Sequence, residues 1–488
     1  MYKLTLFIVS TLILFSCASS PPRQELEMDV DMPNSWATEV AMKKDSIDVV
    51  IDWWTEFADT NLNNLVEEAL QRNLNLSIAA ANLEAAAAQA VIAGASLYPQ
   101  ADMSVNGARR KQNFIGFPIP GSEDKVLSST STTYGVSLNV SWEIDLWGRI
   151  RAEQSAAVSQ FQASQADYIG TQISIAAQVC KAFFTVVTAR KQLELSQATH
   201  DNWKLSTQQV NQRYLSGLSS SLQYRLSLSN LSLAEASLAS NRAQLDIAKR
   251  QLELLLKRFP SASIETREDL PEVVSDVPSG IPADIISRRT DLVAAERRLA
   301  SADMSLKSAE RALYPRISLT GSGGTSTADL KNLINGDFGI WTLAGNLLQP
   351  IFQGGKLSAN VDFNEAQTKM HVAEYERTVL NALAELENAL TNEYYLSERE
   401  RALKRAAEHS LGARNLAEIQ YSRGVSDFLT MLESARSAFD TESRYINARR
   451  ERLDARIDLY LALGGGFSIE DSYIFNDEEN PETEVNDN

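Results

Sequence analysis

Apolar and polar residues alternate strictly along one stretch of the chain: Tyr134, Val136, Leu138, Val140 and Trp142 are interleaved with Gly135, Ser137, Asn139, Ser141 and Glu143. A period of two puts the first set on one face of a β-strand and the second set on the other. Ala101, Met103 and Val105 alternate in the same way with Asp102, Ser104 and Asn106, and Ile317 and Leu319 with Ser318, Thr320 and Ser322. A fourth segment, about Ile340 to Leu348, alternates poorly and is assigned as a strand from its place in an internal repeat. Segments of ~10 residues with one apolar and one polar face fit the wall of a membrane barrel. They also fit two hairpins packed in a soluble domain. A loop holding Gly116, Pro118, Pro120 and Gly121 joins the first pair of strands, and residues 325–337 join the second.

Elsewhere the period is helical. Ile169, Ile173, Ala176, Cys180, Phe183 and Val187 recur at spacings of four and three, the seam of a coiled coil, and Leu380, Leu383, Leu386 and Leu390 give a shorter one. Proline, which breaks helix interiors, is absent between Pro120 and Pro260 and between Pro350 and Pro481. Residues 149–215 (67 positions) and 356–423 (68 positions) each contain one Gly and no Pro. Each predicts a helix of ~100 Å if continuous, far beyond the ordinary length of about 8 to 20 residues. Gly217 and Gly424 stand at the tight turns that follow, so each long helix predicts an antiparallel hairpin.

The hairpins are two copies of one pattern. LYPQADMSVNG from Leu97 matches LYPRISLTGSG from Leu313, Tyr214 to Gly217 match Tyr421 to Gly424, and LELLLKRF from Leu252 answers LYLALGGG from Leu459. The last two matches are 207 residues apart, so the chain reads as helix, two strands, long helix, turn, helix, written twice. Four strands cannot close a barrel, which needs about eight, and open edges are not tolerated in lipid. Several chains must therefore share one barrel: three would give ~12 strands and a wet lumen, two a narrow barrel of ~8.

The N-terminus sets the compartment. Lys3 precedes an apolar run from Leu4 to Phe15 that stops at Cys17, a secretory signal too short to span a bilayer. Leu14-Phe15-Ser16-Cys17 resembles a lipobox, which would make Cys17 the acylated first mature residue; an ordinary signal that happens to contain a Cys is the alternative. No further long apolar stretch is evident, so the expectation is a β-barrel rather than membrane helices. With the leader removed the net charge falls from -17 to about -18, which argues against nucleic acid as a partner. The acidic residues from Asp477 onward predict a disordered tail. Cys180 sits among apolar residues and reads as a small core hydrophobe. His200, His371 and His409 are scattered, so no metal centre is expected. Gly354-Gly355-Lys356-Leu357 lacks the rest of a phosphate loop, no GxSxG elbow occurs, and no catalytic residue or cofactor is assigned.

In order and duplication, several segments are similar to one family. They are Trp53-Trp54, the segment LNNLVEEALQRNLNLSIAAANL near Leu62, the paired LYP motifs, SWEIDLWGRIRAE from Ser141, QPIFQGGKL from Gln349, and YSRGVSDFLTMLES from Tyr421. The chain resembles the TolC-type outer-membrane efflux proteins, in the lipoprotein branch that serves resistance-nodulation-division pumps. The resemblance implies a mainly α fold with a membrane β-barrel portion: a homotrimer with a 12-stranded barrel in outer-membrane lipid and a periplasmic helical tunnel. It also implies a mixed equatorial region built from the termini and the segment around Pro271, Pro278 and Pro282. The expected partners are a periplasmic adaptor and an inner-membrane pump, with the hairpin turns at Gly217 and Gly424 facing the adaptor. The channel constriction is expected at Leu429 and Glu433, with an uncharged Thr430 where some members carry an acid. Tyr421 matches a closed-state contact, and Ser426 stands where a gating Arg is sometimes found. Leu429 and Glu433 are four apart and share a helix face, so three-fold symmetry would turn each into a ring.

The expected division is a signal at 1–16, a lipidated N-terminal and equatorial segment at 17–60, a first repeat at 61–260, an equatorial linker at 261–283, a second repeat at 284–463 and an acidic tail at 464–488. The function implied is efflux of small molecules. Protein export through the same kind of duct, and a structural periplasmic coiled-coil lipoprotein, are the alternatives. Met28, Met32 and Met42 hint only weakly at a soft metal cargo.

Overall fold

The computed structural model describes residues 52–114, 126–272 and 288–465. The leader, Cys17, Met28, Met32 and Met42, the loop at Gly116, Pro118, Pro120 and Gly121, Pro278, Pro282 and the acidic tail lie outside the described residues.

In order, the elements are a 3₁₀ turn at Trp53–Phe57, α1 (Thr60–Arg72), α2 (Leu74–Ala95), β1 (Gln100–Phe114), β2 (Leu127–Ile144), α3 (Arg149–Leu215) and α4 (Ser221–Leu255). They are followed by α5 (Thr290–Arg311), β3 (Arg316–Thr327), β4 (Gly339–Leu348), α6 (Lys356–Ser422) and α7 (Phe428–Ala462). Helices α3 and α6 are both 67 residues long, and α4 and α7 are both 35. Every boundary of the second pair lies 207 positions after its counterpart in the first.

The described residues fall into two compact units. One, from Glu84–Ala163 and Glu296–Glu374, carries a four-stranded antiparallel sheet in the order β1-β2-β3-β4. Its strand ends are fixed by the residues that stood out as motifs. Trp142 Nε1 donates to the Leu97 carbonyl (2.8 Å) and Trp147 Nε1 to that of Pro315 (2.8 Å). The Asp145 carboxylate accepts from the backbone N–H groups of Ile150 (3.0 Å) and Arg151 (2.9 Å), which otherwise have no partner in the first turn of α3. Arg149 bridges Glu143 and Glu153. Gln349 Nε2 donates to the Leu313 carbonyl (3.1 Å) where β4 leaves the sheet. SWEIDLWGR and QPIFQGG are therefore strand-to-helix junctions.

The other unit holds the main core, in which Trp53, Phe57, Phe183, Phe184, Leu252, Leu256, Ile457 and Tyr460 pack together. Trp53 stacks on Tyr460 at 5.4 Å, and the Tyr460 hydroxyl binds the Glu56 carboxylate. The seam residues Ile169, Ile173, Ala176, Cys180, Phe183 and Val187 are all buried, and burial pushes the Cys180 thiol far above its ordinary pKa. The second seam differs from the sequence reading. Val379, Ala382, Leu386, Ala389 and Leu390 are buried, whereas Leu380 is exposed. Leu386 and Leu390 are buried as expected and Leu383 is half-buried, so only the start of the seam shifts, from Leu380 to Val379 and Ala382. The linker residues up to 272 are pinned to the helices. Glu253 accepts from the N–H groups of Ala262, Ser263 and Ile264 at 2.7–3.1 Å, and Arg449 donates to Asp269 and to the Leu270 carbonyl.

One further expectation needs correction. α2 and α3 each contain an 18-residue window long and apolar enough to cross a membrane by length and composition. In α3 61% of that window is buried in the fold. In α2 the apolarity comes largely from alanines, which offer little side chain to bury.

Candidate functional site

Two places stand out chemically: the faces of the sheet and the tips of the helical hairpins. Register fixes the sheet faces. Met103 pairs with Leu138, which pairs with Gly323, which pairs with Trp341. Neighbouring rows on that face join Ala101, Val140, Gly321 and Leu343, then Val105, Val136 and Thr325, while Trp142 and Leu319 extend it towards the helices. Met103, Val105, Leu138, Trp341, Leu343 and Leu347 are exposed. The opposite face carries Asp102, Ser104, Asn106, Ser137, Asn139, Ser141, Thr320, Ser322 and Thr342. The hydroxyls of Ser104 and Ser137 are hydrogen-bonded at 2.9 Å. Water belongs on the polar face, and the exposed apolar face needs an apolar solvent. β1 and β4 each pair on one side only, which leaves two unpaired edges among the described residues.

At the tips, α3 and α6 end in the same way. Leu218 N–H donates to the Arg213 carbonyl (2.7 Å) and Gly217 N–H to Tyr214 (3.0 Å); Val425 N–H donates to Gln420 (2.9 Å) and Gly424 N–H to Tyr421 (3.0 Å). This pattern requires a left-handed residue at the turn, and Gly217 and Gly424 have φ of 75° and 72°. The returning helices are capped by side chains that follow the turn glycines. Ser220 and Gln223 form a capping box at the start of α4, and Asp427 accepts from Thr430 N–H (2.9 Å) at the start of α7. The signal was present in sequence as Ser-x-x-Gln and Asp-x-x-Thr.

Thr430 also donates its hydroxyl to Asp427 (2.9 Å), so it serves the cap. Its backbone N–H, then its hydroxyl, hold the Asp427 carboxyl below the ordinary value. Leu429 is 59% exposed, and Glu433, one turn on, is exposed beside it. The face of α7 that packs inward consists instead of Phe428, Met431, Leu432 and Ala435. Leu429 is thus not coiled-coil core within this chain. Tyr421 is buried in that cluster with Trp203 and Val210; its ring lies 5.8 Å from Phe428, and the Arg213 guanidinium sits over it at 5.0 Å. The Tyr421 hydroxyl has no hydrogen-bond partner among the described residues. Arg436 reaches across to Asn230 Oδ1 (2.7 Å) and ties α7 to α4. No group of three or more His, Cys, Asp or Glu among the described residues could hold a metal ion.

Known proteins are similar to this chain in sequence and fold. Residues 65–257 and 281–465 match the family described as outer membrane efflux protein. The chain is 32% identical to outer membrane protein OprJ of Pseudomonas aeruginosa over 463 residues, covering 94% of this chain and 95% of OprJ. It is 31% identical to the solvent efflux pump outer membrane protein SrpC of Pseudomonas putida, covering 85% and 87% of the two chains. Among solved structures, the open state of the Neisseria gonorrhoeae MtrE outer membrane channel superposes with a TM-score of 0.79 at 28% identity, covering 92% of this chain and 98% of MtrE. The Campylobacter jejuni CmeC outer membrane channel shares the fold with a TM-score of 0.85, at 24% identity and covering 93% and 96%.

Proposed function

We infer function from one premise: this chain belongs to the outer membrane efflux protein family. It is the outer-membrane channel component of a tripartite efflux system and not an enzyme. The observation that carries this reading beyond family membership is the two-faced sheet, apolar where lipid would lie and polar where water would pass.

Finer features follow as proposals. The chain is a duplicated unit, supported by the constant offset of 207 residues between its two hairpins. Three chains close a 12-stranded barrel, supported by the two unpaired sheet edges, which lipid does not tolerate. The helices continue into a periplasmic tunnel whose tips at Gly217 and Gly424 meet an adaptor joined to an inner-membrane pump. Cys17 carries the lipid anchor, supported by the lipobox-like Leu14 to Cys17. The cargo is small toxic compounds, in line with the solvent, toluene and antibiotic pumps named among its relatives.

The constriction is a ring of Leu429 above a ring of Glu433. Their exposure on the side of α7 away from the core supports this, since those side chains remain free to face symmetry mates. Tyr421 and Arg213 hold α6 against α3 in the closed state. Single-channel recordings in planar bilayers test the reading. A small, cation-preferring conductance supports it, and a preparation that never conducts overturns it.

A further inference from the structure

The outward sheet face changes character towards the loop end. From Ile144 to Tyr134 its residues on β2 are Ile, Trp, Val, Leu, Val and Tyr. Those ten residue steps span ~34 Å along the strand, or about 26 Å of membrane depth at a usual barrel tilt of ~40°. That matches the ~25 Å apolar band of an outer-membrane barrel and puts Tyr134 at its rim, where aromatic residues anchor at the headgroups. Tyr134 lies over Gly107: a Cβ there would stand 3.3 Å from the Tyr134 ring.

Beyond Tyr134 on the same face come Arg109, paired with Thr132, and Lys111, paired with Thr130. They are the only charged residues on the outward face of the four strands; Asp102, Arg110, Glu143 and Arg316 fall on the other. Neither the Arg109 nor the Lys111 side chain has an ion-pair or hydrogen-bond partner among the described residues. At about 5 and 10 Å past the rim they stand at the depth of lipid phosphates, in a chain whose net charge is -17.

Resting on the barrel reading, the geometry points to a docking site on β1 for a phosphate-bearing lipid headgroup of the outer leaflet, held by Arg109 and Lys111 above Tyr134. The Arg fork grips phosphate oxygens bidentately, Lys supplies a second point charge, and Thr130 and Thr132 add hydroxyl donors. Strand alternation supplies an internal control: Arg110, between the two, faces the lumen and takes no part.

The test measures binding of a fluorescent bisphosphorylated lipid A to the detergent-extracted full-length protein. Dephosphorylated lipid A and inorganic phosphate serve as comparison ligands. The double variant R109S/K111S weakens binding about 30-fold, while R110S changes it less than about twofold. Dephosphorylated lipid binds the wild type no better than the double variant binds lipid A, and inorganic phosphate fails to displace the lipid. Equal losses for R110S and the double variant, or binding indifferent to the lipid phosphates, overturn the site. Full displacement by inorganic phosphate makes it a phosphate site and overturns the lipid assignment. Planar-bilayer conductance of the same preparations separates this from the underlying reading: a wild type that conducts without binding lipid loses only the docking site, and one that never conducts loses the barrel.

Discussion

The two hairpin tips share one backbone plan and differ in what they expose. Both turn through a left-handed glycine and return through a capped helix. Leu222 in the first corresponds to Leu429 in the second, and both are exposed. One turn on, the first hairpin has Leu226, packed against its own core, where the second has the exposed Glu433. Tyr214 in the first is 40% exposed and stacks on Tyr224, while Tyr421 is buried under Arg213. Deeper along the return helix, Ile247 in the first corresponds to the half-buried, ionisable Asp454 in the second. The second hairpin thus carries an exposed carboxylate and a buried aromatic contact where the first carries an apolar residue and a half-exposed ring. A moving gate assigned to the second hairpin fits that asymmetry.

The largest effect that could break this comparison is at the exposed pair. Replacing Leu429 and Glu433 together by Ser raises single-channel conductance at least about threefold and removes cation preference, whereas Leu222→Ser leaves both unchanged. Equal effects in the two hairpins would make them functionally alike. Next comes Tyr421→Ala, which destabilises the tip by about 3–5 kcal/mol in chemical unfolding, against about 1 kcal/mol or less for Tyr214→Ala at its exposed site. Tyr421→Phe is close to neutral, because the hydroxyl it removes has no partner to lose.

Asp454 distinguishes the hairpins by pH. Burial pushes its carboxyl up to about 6, against the opposing pull of Arg450 and Lys181. The folded state therefore holds the proton more tightly than the unfolded state, so stability falls as pH rises from about 4 to about 6. Asp454→Asn raises the thermal midpoint near pH 7.5, and the gain vanishes near pH 4. Ile247→Asn gives no such pH-dependent gain. The smallest effect is at the caps, where Ser220→Ala costs about 1 kcal/mol at any pH. The Asp427→Ala loss fades on acidification as the wild-type carboxyl gains its proton and stops accepting from Thr430.

Much of the architecture was legible because its periods are simple. Three strands follow from alternation, and 149–215 is delimited by proline and glycine alone. The fourth strand was obscured because Gly339, Gly345 and Ala344 blur the contrast between faces and Ile340 and Leu348 stand on the polar side. α6 stops at Ser422, one residue before the proline-free and glycine-poor stretch suggests, because Gly424 closes its last turn. Leu429 and Glu433 were legible as a helix face, but their freedom from the core appeared only when Phe428, Met431 and Leu432 were seen to take the inward positions. The burial of Tyr421 under Arg213 joins residues 208 positions apart, which no local pattern encodes.

The central claim is that the open-edged sheet is one third of a barrel. Native mass spectrometry of the detergent-extracted protein tests it most directly. The account predicts a single species of three chains, each of about 53.9 kDa for the full sequence. A stable single chain that keeps its sheet would contradict it.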